Sequence, residues 1–218
     1  MELYVNNTSI VASATTENDP INTWSDVSGN GFDATQTDSA RPTLHISTDF
    51  NVRQASFSGS QWLNVGQPSA LNFDPTINDF SLVIKVGEVA GTTGYFMSKG
   101  GASASLRKWG IFFDANAFGT FKNGDNSYPI GSNHTLAAND LLILTVSANT
   151  IETLYVNNTT NGTDVTFPAS VVETANVNIG GRTDGSFLYN GDLAFIAVYS
   201  KVLTTSEITD IRNAHRVN

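Results

Sequence analysis

Cysteine is absent from the 218 residues. Disulfide staples, cysteine nucleophiles and thiolate metal sites are thereby excluded. Secreted proteins need not contain cysteine, so the compartment stays open. No apolar run reaches the roughly 20 residues that a membrane-spanning helix needs. The start, Met1-Glu2-Leu3-Tyr4-Val5-Asn6, has neither a basic segment nor a sustained apolar stretch and does not read as an export signal. Positive charge is scarce as well: Lys and Arg total 11 against 20 Asp and Glu, a net charge of -9. Nucleic-acid phosphates and anionic membranes call for a basic footprint, which is missing. The expected partners therefore include no nucleic acid, and no membrane insertion is expected.

What is present is apolar and β-patterned. Hydrophobic residues make up 40% and Phe numbers 13, enough for a packed core and against disorder. No linker or change of composition divides the chain, so residues 1–218 read as one domain. The dominant period is two. Phe80, Leu82, Ile84 and Val86 share one face, and 109–113 alternates likewise. The segments 141–146 and 193–199 are nearly all apolar, as strands covered on both faces are. Further strands are expected around 3–5, 42–46, 54–57, 61–65, 94–98, 118–122, 151–156, 163–167 and 176–179. Turn signals at Asn123-Gly124-Asp125, Asn157-Asn158-Thr159 and Asp184-Gly185 punctuate them. Many short strands with frequent turns predict an all-β, two-sheet antiparallel sandwich.

One helix is expected, at the C-terminus. Thr204-Thr205-Ser206-Glu207 is a capping box, and Leu203 and Ile208 stand where a hydrophobic staple needs them. Ile208, Ile211 and His215 line one side, while Arg212 and Arg216 fall near the negative end of the helix dipole.

Three segments together resemble a known family. They are Trp24 to Gln36 with Arg41-Pro42-Thr43, then Ala55 to Leu63, then Asn178-Ile179-Gly180-Gly181-Arg182 followed by Tyr189 to Ala194, Val198-Tyr199 and Leu203 to Ile208. In this order they resemble the laminin-G-like, concanavalin A-like lectin/glucanase superfamily, over essentially the whole chain. The resemblance implies a jelly-roll sandwich of two curved antiparallel sheets. It implies carbohydrate or protein binding in most members, hydrolysis in a minority, and calcium in many.

Hydrolysis finds little in the residues. The Glu-x-Asp-x-x-Glu strand motif of the family's glucanases is absent, and the six glutamates are scattered. No Gly-x-Ser-x-Gly elbow accompanies His45, His134 and His215, and three separated histidines are poor evidence for zinc. The expectation is a protein that is not an enzyme. Calcium wants six to eight oxygens, and Asp26, Asn30 and Asp33 crowd one glycine-rich loop. Two readings stand for them: calcium ligands, or turn residues bonding their own backbone. The acidic pair that many relatives carry after the glycine of the last long strand is missing, with only Asp192 to stand in. A second oxygen cluster, Asp114, Asn116, Asn123, Asp125 and Asn126, spans a hairpin and also suits solvated turns.

Sugar binding needs exposed aromatic rings beside amides and carboxylates. Tyr95, Phe118, Tyr128, Phe187 and Tyr189 neighbour glycine- or asparagine-rich turns and are the expected rim platforms. Trp24, Trp62 and Trp109 are expected to pack between the sheets. A lectin-like domain filling the chain, with no catalytic module, export signal or anchor in view, fits a virion structural or adhesion protein: a phage capsid decoration, fibre head or tail receptor-binding head. Its partners would be a glycan or host-surface polysaccharide, other virion proteins and copies of itself, as a trimer. The alternatives are an extracellular carbohydrate-binding module cut from a secreted bacterial protein and, behind it, a glycosidase.

Overall fold

Residues that alternate in the sequence alternate across two sheets in the computed structural model. It describes all residues except 7, 11–13, 48–51, 92, 101–106, 116, 123–127, 133, 158, 170–173, 183 and 216–218. The strands are β1 Leu3–Val5, β2 Thr23–Trp24, β3 Ala34–Thr35, β4 Thr43–Ile46, β5 Arg53–Ser58 and β6 Leu63–Gly66. Then come β7 Phe80–Val89, β8 Thr93–Gly100, β9 Arg107–Asp114, β10 Ala117–Lys122 and β11 Tyr128–Ser132. The last are β12 Leu141–Ser147, β13 Ile151–Val156, β14 Thr159–Asp164, β15 Val177–Ile179 and β16 Asn190–Tyr199, ahead of helix α1, Thr205–Ala214.

The first sheet runs β14-β13-β12-β7-β16-β5-β4, with β1 also paired to β16; the second runs β11-β10-β9-β8-β15-β6-β3-β2. The pairings are antiparallel, as expected of the sandwich, and the architecture is the jelly roll. Between the sheets lie Trp24, Phe57, Phe80, Phe96, Trp109 and Phe118, each at most 2% exposed. Phe73 and Phe80 stack at 4.8 Å, and each such buried ring contributes about 1.5–3 kcal/mol.

The nearly all-apolar strands are covered on both faces for a visible reason. Their outer side meets α1: Val83, Leu141, Ile143, Phe195 and Ala197 form a second cluster with Leu203 and Ile208. The capping box is present, with Thr204 accepting from the Glu207 amide and Glu207 reaching back to the Thr204 amide. His215 packs on Phe195 at 4.2 Å, and Arg212 lies over the Tyr155 ring. Arg216 lies outside the described residues.

The strands depart from expectation in three places. The strand expected at 163–167 runs instead over Thr159–Asp164, β11 was not expected, and β2 and β3 are two residues each. β14 is polar throughout and mostly exposed, so its sequence carries no apolar alternation.

Candidate functional site

The loop of Asp26, Asn30 and Asp33 is knitted by its own backbone. Asp26 Oδ1 accepts from the amides of Tyr4 (2.9 Å) and Ser28 (2.8 Å). Its Oδ2 accepts from the Phe32 amide (3.0 Å) and the Ser28 hydroxyl (2.8 Å). Burial pushes this carboxyl up, but the Tyr4, Phe32 and Ser28 amides outweigh it and hold it below the usual aspartate range. Asp33 Oδ1 accepts from the Asp26 amide, and the Asn30 side-chain amide donates to Glu2 O. Gly29 and Gly31 take the left-handed φ of +95° and +74° that the turn demands. With four donors already on Asp26, the residues present do not fit a calcium ion here; the turn reading describes the loop. Of the second oxygen cluster, Asp114 is exposed at the end of β9, and Asn116, Asn123, Asp125 and Asn126 lie outside the described residues.

The five expected platforms separate. Phe118 is fully buried against Phe113 and His134, and Tyr189 is 2% exposed between Phe57 and Phe96. Burial pushes the Tyr189 phenol up. Neither ring can meet a ligand, which corrects the expectation for both: Phe118 in β10 and Tyr189, just ahead of β16, point into the intersheet core. Tyr128 heads β11, and its side chain lies outside the described residues. Phe187 is 60% exposed. Tyr95 is only 4% exposed because Phe187 covers it edge-on, with centroids 5.9 Å apart. Tyr95 is therefore the floor of a site rather than its platform.

That site is a shallow cleft of about 120 Å³ lined by Thr93, Gly94, Tyr95, Phe112, Phe113, Asp114, Arg182 and Phe187. In the β8–β9 register Tyr95 faces Phe112 across the strands, at a ring separation of 5.1 Å. Both point away from the intersheet core that holds Phe96 and Phe113, so the cleft opens on the outer face of the second sheet. The turn from Arg182 to Phe187 folds over them. Arg182, 4% exposed, donates from Nη2 to Asp184 Oδ2 (2.9 Å) and to the Ser186 hydroxyl (2.6 Å). Its guanidinium carbon lies 4.7 Å from the Phe187 ring centre and 5.8 Å from that of Tyr95. Burial pushes the Asp184 carboxyl up, but Arg182 and Ser186 outweigh it and hold it below the ordinary range.

Phe187 has φ +51°, a left-handed conformation that is costly for a bulky residue. The surroundings impose it. The Tyr95 amide donates to Phe187 O (3.0 Å), and Gly94, φ +149°, passes so close that a Cβ there would lie 2.5 Å from Tyr189 Cα. In the sequence Arg182 stands out only within the family-like segment 178–182; its local signal is a cation two residues from Asp184-Gly185 and five from an aromatic. Trp62 also departs from expectation. Trp24 and Trp109 are buried between the sheets, but Trp62 is half-buried, its ring 3.9 Å from where a Cβ on Gly185 would sit.

Fold and cleft together define a β-sandwich of the jelly-roll class with an aromatic-rimmed outer site. The chain belongs to the concanavalin A-like lectin/glucanases superfamily, whose model matches residues 57–209. No curated protein sequence matches it. Among solved structures it is similar to domain 4 of a GH43 extracellular arabinanase from Geobacillus stearothermophilus, in complex with arabinotriose. That match has a TM-score of 0.65 and 16% identity over 97% of each chain. It is similar also to Trypanosoma rangeli sialidase in complex with sialic acid, with a TM-score of 0.63, 17% identity and 96% of this chain covered. The chain spans about a third, 32%, of that sialidase. A third neighbour is the CBM40 of the Ruminococcus gnavus IT-sialidase bound to α2,3 sialyllactose: TM-score 0.56, 15% identity, covering 73% of this chain and 96% of that one. At these identities the likeness shows the fold.

Proposed function

We propose that this protein is a carbohydrate-binding domain that takes a sugar ring at the Arg182–Phe187 cleft. The observation that carries this is Phe187: a bulky ring, 60% exposed, held at φ +51° over a buried arginine. A non-glycine residue held in left-handed backbone costs of order 1–3 kcal/mol, and such residues cluster at active sites and ligand clamps. The ring offers an apolar face for sugar C–H groups. Asp114 offers acceptors, and the neighbouring Thr93 a hydroxyl, for sugar hydroxyls. The site favours neutral sugars. Arg182 is already balanced by Asp184, Asp114 adds negative charge, and the chain carries -9 overall. A carboxylated sugar would meet repulsion there.

Binding rather than hydrolysis is supported by the carboxylates themselves. Hydrolysis uses two carboxyl groups about 5–9.5 Å apart around the scissile bond, and here Asp184 is committed to Arg182 and Ser186. The neighbours in complex with arabinotriose and with sialyllactose favour the reading of an extracellular carbohydrate-binding module. The expected virion setting draws no support from them.

The test is calorimetric titration with arabinotriose, with α2,3 sialyllactose as the charged comparison. The expected result is weak binding of the neutral sugar, in the millimolar range of a small cleft, at least tenfold tighter than the sialylated one. It should be lost in Phe187→Ala. Equal affinity in Phe187→Ala contradicts the assignment of the site.

A further inference from the structure

A second cluster lies on the outer face of the first sheet, at the same end of the sandwich, and the glycan reading does not use it. His45 in β4, Gln54 and Ser56 in β5 and Asp192 in β16 share this face, because His45 is in register with Gln54 and Ser56 with Asp192. Glu88 approaches from β7 and Glu17 from the chain before β4. One ligand atom each of His45, Glu88 and Asp192 lies within 4.8 Å of the others.

We propose that His45, Glu88 and Asp192 bind a divalent transition ion of the zinc type, with Glu17 as the residue that orients the histidine. The geometry around the imidazole argues for it. Nδ1 stands 2.9 Å from Glu17 Oε1, an acceptor, so Nδ1 carries the hydrogen. Glu17 is itself fixed, its Oε2 accepting from the Ile46 amide at 2.6 Å. This is the carboxylate–histidine arrangement that sets the tautomer of metal-bound imidazoles. The other nitrogen, Nε2, then points a lone pair at two more acceptors, Glu88 Oε1 at 3.3 Å and Asp192 Oδ2 at 3.8 Å. Three groups with lone pairs facing one another are held together either by a proton on Nε2 or by a metal cation among them. Ligand atoms about 2.1 Å from a tetrahedral ion stand roughly 3.4 Å apart; the two distances from Nε2 are 3.3 and 3.8 Å, and all three atoms lie within 4.8 Å of one another, so a small closure of the side chains would complete the site.

Charge and burial point the same way. Three carboxylates surround one imidazole. A proton on Nε2 leaves a net charge of about -2, whereas a divalent ion on neutral imidazole leaves about -1. Asp192 is anchored, its side chain 7% exposed, while Glu88 at 61% leaves an open side for water or a further ligand. An independent sign is Gln54, 1% exposed, whose Oε1 has no hydrogen-bond partner among the described residues. It lies beside Asp192 over Gly87, where a Cβ would collide with both Gln54 Oε1 and Asp192 Cβ. A buried acceptor left unpaired costs about 1–3 kcal/mol, and a metal-bound water would satisfy it. Imidazole nitrogen with carboxylate oxygens suits zinc and its neighbours better than calcium, which takes oxygens alone.

The experiment titrates metal-free protein with Zn2+ and with Ca2+, following heat and melting temperature. One Zn2+ per chain and a higher melting temperature are expected, with Ca2+ at least tenfold weaker. Glu88→Gln, exposed and free of packing duty, should weaken Zn2+ at least tenfold, and Glu17→Gln about 10–100-fold as an orienting residue. The His45 Nε2 resonance should shift on metal addition in the wild-type protein. Absence of Zn2+ binding, a Nε2 resonance that never moves, or unchanged affinity in Glu88→Gln overturns the proposal and leaves imidazolium as the occupant. Sugar binding at Phe187 stands or falls separately.

Discussion

Two loops of this protein carry glycine, aspartate and a nearby aromatic, and they put them to opposite uses. In the Asp26–Asp33 loop the carboxylate turns inward. Four donors close on Asp26, and the loop's polar groups are consumed in holding Tyr4, Ser28 and Phe32 together. In the Arg182–Phe187 loop the carboxylate of Asp184 is spent on Arg182 and Ser186, and what remains outside is an aromatic ring in strained backbone. One loop converts its polarity into stability. The other spends stability to present a surface. An acidic, glycine-rich loop is thus no guide to ligand binding until the destination of its acceptors is known.

Substitutions should separate the two loops. The largest stability effect is expected from Asp26→Ala, which strands three amides and a hydroxyl. Loss of about 3 kcal/mol in urea unfolding is expected, with sugar affinity unchanged. The same carboxylate gives a pH signature. Its folded value lies below the ordinary one, so between the two values the unfolded chain binds more protons and stability rises with pH. The contribution is complete above about pH 4 and is lost as pH falls through the depressed value. In Asp26→Asn that part of the slope should vanish from unfolding curves recorded across this window.

Phe187→Gly should behave in the reverse sense. Left-handed strain of about 1–2 kcal/mol is relieved and offset by added chain entropy, so stability should move by less than about 1 kcal/mol. Sugar affinity, by titration, should fall at least tenfold. Thr204→Ala removes half of the capping box and touches neither the Asp26 carboxylate nor the cleft. It should cost about 1 kcal/mol in thermal unfolding and leave binding untouched.

The fold was readable where side-chain chemistry alternates. Phe80 to Val86 declares its two faces, and the outer apolar residues of β7, β12 and β16 find α1, as the capping box at Thr204 implies. β14 is not legible because Thr159 to Asp164 is polar on both sides, and its pairing with β13 leaves no apolar alternation to read. The site was half readable. Phe187 is exposed, but Tyr95 is buried by a turn nearly ninety residues away in sequence, and no local pattern announces such a cover. In the sequence His45 is one of three separated histidines and carries no sign of a site. Its partners come from 28, 43 and 147 positions away, assembled only by the order of β7, β16, β5 and β4 in the first sheet.

The central claim is that the outer cleft, not the glycine-rich turn, meets the ligand. The direct measurement is a backbone-amide NMR titration with arabinotriose into the millimolar range. Shifts confined to Thr93–Tyr95, Asp114 and Arg182–Phe187, and absent in Phe187→Ala, are the expected result. Shifts centred on Asp26–Asp33, or a spectrum that does not change, would contradict it.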